Sequence, residues 1–136
     1  MNRSMVFAYQ LLTGISDSST GVLLVVAPAL TLHMLDLRAS SSSLVYLSFV
    51  GAFVFSVGLA CLYGALLVHR GGNKARLEMV WLLTAFTRAS VALFLVEQIA
   101  VGHLAVEWFA IAAFDGACVV IQAIGLHEDW LAYAAG

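Results

Sequence analysis

The sequence predicts an all-α, integral membrane four-helix bundle with both termini cytoplasmic, and three observations carry that prediction. The 136-residue chain is 62% hydrophobic and only 10% charged, whereas soluble domains carry roughly 25% charged residues. Its apolar residues gather into four runs near the roughly 20 residues that cross a bilayer. Three of those runs each hold one charge near mid-depth: Asp17 within 5–27, Arg88 within 77–101 and Asp115 within 108–126. A charge exposed to hydrocarbon costs several kcal/mol, so the three are expected to face one another inside the bundle. The whole chain, 1–136, reads as one transmembrane domain.

The first apolar run, from Met5 to about Leu35, is too long for one straight span at about 1.5 Å per residue, and Pro28 offers a break. Helix 1 is therefore expected at about 5–27, followed by a short interfacial helix or loop over 29–37. A basic start, an apolar stretch and Ala27-Pro28-Ala29 resemble a secretory leader. The polar insert Ser16-Asp17-Ser18-Ser19-Thr20 interrupts that pattern, so the segment reads as a retained helix. The four serines 40–43 form a turn and N-cap before helix 2, at about 44–69. The most basic connection, His69 to Arg76, precedes helix 3 at about 77–101. Gly102 and His103 mark a tight turn, and helix 4 covers about 105–126, closed by His127, Glu128, Asp129 and Trp130. Helix 2 carries no Asp, Glu, Lys or Arg, and its Gly51, Gly58 and Gly64 recur at about two-turn spacing, which suits close helix packing.

Basic residues in short loops set orientation. Arg3, Arg70, Lys74 and Arg76 fall on one side and Arg38 alone on the other, which places the basic side in the cytoplasm of a bacterial inner membrane. Trp108, Trp130 and Tyr133 fall where an interfacial aromatic belt is expected. The net charge of −2 and six basic residues cannot track a phosphate backbone, which excludes nucleic acid as a partner. Cys61 and Cys118 lie inside apolar runs without paired spacing and read as small packing residues in the cytoplasmic half.

Helical spacing aligns polar residues on one stripe of each of three helices. Helix 1 offers Gln10, Thr13, Asp17 and Thr20; helix 3 offers Trp81, Thr84 and Arg88; helix 4 offers Trp108, Asp115 and Gln122. One guanidinium cannot neutralise two carboxylates, so a proton, water or ligand cation must share the site. The stripe supports a proton relay, the polar end of a ligand pocket, or a buried ion pair fixing helix order and bonded to Thr13, Thr84 and Gln122. Asp115, flanked by Phe114, Gly116 and alanines, is expected to be the structural mate of Arg88. Asp17, among hydroxyls and small residues, is expected to border a cavity.

A second constellation gathers at the opposite end from the basic loop: His33, Asp36, His103 and Glu107, with Glu97 nearby. These residue types ligate divalent metals, but no strict metal motif is present, and metal binding is disfavoured. Haem between His33 and His103 is disfavoured too, because both lie at span ends rather than within the spans. No cofactor is assigned. No nucleophile–base–acid set occurs, and Gly71-Gly72 is too short for a phosphate loop.

A third helix with a central Arg88, a short Gly102 turn, and a fourth helix with Asp115, Gln122 and Gly125-Leu126 resemble the DoxX-like four-helix bacterial membrane proteins, mainly over 80–130. For some members the resemblance implies a role as membrane subunits beside oxidoreductases, and no catalytic residue is carried over from it.

Three functions follow in order. The first is a non-catalytic membrane protein, an accessory subunit or a lipid or quinone binder, partnered by membrane lipid and by another subunit or a second copy. The second is a membrane enzyme on an apolar substrate, isomerase-like, with Asp17 and Asp115 as acid and base beside Arg88. The third is a small proton-coupled transporter, against which the mid-depth Arg88 counts.

Overall fold

The computed structural model describes residues 2–37 and 43–134, and over them the chain is helical. The elements are α1 (Arg3–Val26), α2 (Pro28–Met34), α3 (Leu44–His69), α4 (Lys74–Ala100), a 3₁₀ turn (Val106–Trp108), α5 (Phe109–His127) and α6 (Trp130–Ala134). Among the described residues, three segments are long and apolar enough to cross a membrane: Leu44–His69, Lys74–Ala100 and Val106–His127. α1 has the length, at 24 residues, but its polar stripe and the insert at 16–20 hold its hydropathy below the other three.

Local chemistry sets the helix ends. The Asn2 side chain accepts from the Met5 amide at 3.0 Å and the Asn73 side chain from the Ala75 amide at 2.8 Å, so asparagine caps both α1 and α4. Ala27 ends α1 at φ −143°, ψ 63°, since the residue before a proline is pushed out of the α region, and Pro28 then opens α2 with its φ preset. α3 closes in a Schellman motif: the Gly72 amide reaches the Leu67 carbonyl at 2.7 Å and the Gly71 amide that of Val68 at 3.3 Å. α4 ends the same way, His103 to Gln98 at 2.9 Å and Gly102 to Ile99 at 3.0 Å. Gly71 and Gly102 supply the left-handed φ, 63° and 78°, that the motif requires. The serine cap expected before α3 falls mostly outside the described residues; Ser43 itself makes no side-chain cap bond.

The helices associate as two pairs. α1 lies antiparallel on α3, backbone against backbone, with Gly14 under Leu62, Gly21 under Phe55, Gly58 under Ser18 and Gly51 under Leu24. The two-turn glycine spacing of α3, seven and then six residues, thus serves an internal seam with α1. α4 and α5 form the second pair, also antiparallel, and the two pairs meet through long side chains. At the basic end Arg3 donates to the Val68 carbonyl at 2.7 and 3.1 Å and to that of His69 at 3.1 Å. A cation thereby sits on the negative end of the α3 dipole.

α6, which the sequence does not signal as a helix, folds beneath that end. Leu131 and Ala134 join Val6, Val68, Leu77 and Trp81 in one buried cluster, and Trp130 packs against it. Trp130 thus lies at the margin of the core; Trp108 is half-buried, and the Tyr133 side chain lies outside the described residues. The outer faces are apolar, with Phe49, Phe53, Phe86, Leu93 and Val120 all exposed.

Candidate functional site

The three mid-helix charges meet. Arg88 is only 3% exposed, Asp17 8% and Asp115 9%. Arg88 Nη1 donates to Asp115 Oδ1 at 2.5 Å, and its Nη2 donates to Asp17 Oδ2. The guanidinium fork is thus split between two carboxylates, one on α1 and one on α5, and the cluster joins the two helix pairs. The Phe114 ring faces the guanidinium with its centroid 5.5 Å from Cζ, a cation–π contact that closes another side of the cluster.

This geometry corrects the expected division of labour. Asp17 and Asp115 stand equivalently to Arg88, and neither alone is its mate. The hydroxyls around Asp17 in sequence do not gather on it: Ser16 and Ser19 are exposed and Ser18 faces Gly58 of α3. At 100° per residue these positions rotate off the Asp17 stripe.

Thr13, Thr84 and Gln122 are buried beside the cluster but do not bond its carboxylates. Thr13 Oγ1 donates to the Tyr9 carbonyl at 2.8 Å, and Thr84 Oγ1 to that of Val80 at 2.8 Å, each satisfying its hydroxyl on its own helix. Gln122 Nε2 donates to Thr84 Oγ1 at 2.7 Å, a second link between α4 and α5. Cys61 and Cys118 are buried free thiols. Tyr9, which sequence reasoning passed over, donates to the Cys118 carbonyl at 3.4 Å and packs tilted against Trp81, with ring centroids 5.5 Å apart and planes at 54°.

Two open grooves lie at the ends of the bundle and not at the cluster. One, of about 260 Å³, is lined by Arg3, Ser4, Phe7, Val68 and His69. The other, of about 340 Å³, is lined by Asp36, Ala105, Glu107 and Trp108. The second brings Asp36 and Glu107 of the expected metal constellation together but leaves out its histidines. His33 is exposed, and His103 Nδ1 pairs with Gln98 Oε1 at 3.0 Å. Among the described residues no group of three or more His, Cys, Asp and Glu is placed to hold a metal.

Chemically, the cluster is an ion triad that links α1, α4 and α5. Both carboxylates have their approach to a ligand occupied on one oxygen by the same cation, with an aromatic ring over that cation. The chain matches no family model, no curated protein and no solved structure.

Proposed function

We propose that this chain is a multi-pass protein of the bacterial inner membrane, a four-helix bundle crossing with α1, α3, α4 and α5 and holding both termini in the cytoplasm, that serves as a non-catalytic accessory subunit or lipid-binding protein. One observation carries the reading: the only mid-helix charges among the described residues are consumed in a single Arg88-centred triad, which leaves large apolar outer faces as the surface offered to surroundings. In lipid such faces take acyl chains or another apolar helix, and the buried charges hold the bundle's order. Arg3, Arg70, Lys74 and Arg76 gathered at one end support the orientation. The role agrees with what the DoxX-like resemblance implies. An isomerase needs a carboxylate pair free to exchange protons with substrate, and a guanidinium locked to both acids argues against it.

The test is purification in a mild detergent followed by mass spectrometry of everything retained. A stoichiometric membrane partner or a retained lipid is the expected result. A lone protein stripped of both, with turnover of an apolar substrate that depends on Asp17, overturns the reading.

A further inference from the structure

Seven residues from each member of the triad, and all in the direction of the basic end, stand three more polar residues: Gln10 on α1, Trp81 on α4 and Gln122 on α5. Two helical turns place this second layer about 10.5 Å below the first. Each of the three is fully buried, at 0% exposure. Each also presents polar atoms without a hydrogen-bond partner among the described residues: both amide atoms of Gln10, Nε1 of Trp81 and Oε1 of Gln122. An unmet buried polar group costs about 1–3 kcal/mol, so four such atoms in one layer call for a common partner.

The packing brings the three side chains to one level. A Cβ added at Gly64 of α3 would meet the Gln10 amide and, at 3.3 Å, Val80 Cγ1, so Gln10 lies beside Val80, the residue before Trp81. The Trp81 ring packs tilted against Tyr9, the residue before Gln10, and covers Gly125, one turn beyond Gln122. Gln122 is already held at its nitrogen by Thr84, one turn from Trp81, so its oxygen is the atom left facing this layer. The donors left over are the Trp81 indole N–H and the Gln10 amide N–H; the acceptors left over are the oxygens of Gln10 and Gln122.

We propose that Gln10, Trp81 and Gln122 form an internal site for one water molecule, which accepts from Trp81 Nε1 and Gln10 Nε2 and donates to the oxygens of Gln10 and Gln122. Two donors and two acceptors are the complement of a four-bonded water, and a buried water needs two to four polar partners. A quinone or ester carbonyl, which only accepts, leaves both amide oxygens unmet, so the layer selects a hydroxyl-type occupant. Full burial of all three residues restricts that occupant to water rather than the hydroxyl of a lipid. The site is separate from the triad and from the end grooves, and it stands whether or not the proposed accessory role does.

A high-resolution structure of the protein in detergent or nanodisc tests the assignment directly. Support is isolated density within about 2.7–3.2 Å of Trp81 Nε1 and of both glutamine side chains. Direct bonds among the three side chains, with no atom between them, overturn it. Indole-¹⁵N labelling supplies the second measurement on the unaltered chain: the Trp81 N–H, identified by its loss in Trp81→Phe, should show a magnetisation-transfer peak to water despite its burial. The peak should vanish in Gln10→Leu with Gln122→Leu. A missing peak in the native protein, a peak to lipid or detergent hydroxyl protons in its place, or a peak unchanged by the double substitution refutes the site.

Discussion

Arg88 divides its guanidinium between two acids, and that division decides what each single substitution does. Arg88→Ala leaves two buried carboxylates without their cation and should cost about 3–5 kcal/mol, read as a lowered unfolding midpoint in detergent. Arg88→Lys should recover little, because one ammonium cannot present two parallel donors to separate partners. Asp17→Asn and Asp115→Asn should destabilise by similar amounts, and their combination should be less than additive since they share Arg88. A neutral Asp17→Asn beside a collapsing Asp115→Asn restores the unequal roles that the flanking residues alone suggest. Counting helical turns from the sequence brings Asp17, Arg88 and Asp115 to one depth, and the structure joins them. What the counting misses is reach: whether α1 stands near enough to α4 depends on the α1–α3 seam, a distance that no residue spacing encodes. Thr13 and Thr84 illustrate the same limit, since a hydroxyl on the right face can still turn back to its own carbonyl.

At the scale of the element, the α1–α3 seam is the most demanding contact. A Cβ added at Gly21 meets the Phe55 backbone, whereas one added at Gly116 meets nothing within 4 Å. Gly21→Ala should therefore push the pair apart and lower the unfolding midpoint, while Gly116→Ala should be neutral or stabilising by about 0.5–1 kcal/mol through helix propensity. Equal effects of the two substitutions, measured side by side in the same detergent, contradict the seam. The helix borders were legible where a residue has a mechanism: Pro28 as a break and Gly102 as a tight turn. α6 was not legible, because five residues are too short for a helical period to show. Its anchoring by Leu131 and Ala134 is a tertiary fact.

For the whole molecule, apolar composition was enough to identify helices of spanning length, and the arrangement into two pairs was not, since every apolar face looks alike in sequence. The proposed orientation has its own check. With Cys61 and Cys118 replaced by alanine, Asn73→Cys should react with an impermeant thiol reagent only from the cytoplasmic side and His103→Cys only from the other. Labelling of both from one side refutes the four-span topology.

The order of the triad along the chain, acid then base then acid, bears on how such a protein enters a bilayer during synthesis. On the proposed topology α1 arrives first with Asp17, so when α4 leaves the insertion machinery its arginine meets an anion already at the same depth. Asp115, last to emerge, finds a cation waiting. A chain lacking α1 must deliver Arg88 to hydrocarbon alone, at an insertion penalty of about 2.5–3.5 kcal/mol. In an in vitro translation with membranes, its α4 should fail to integrate in a substantial share of molecules, whereas a chain ending before α5 should integrate α4 normally. The triad is then a timetable as well as a fastening: Asp17 goes in first, and Arg88 and Asp115 are each laid down only after a counterpart is in place.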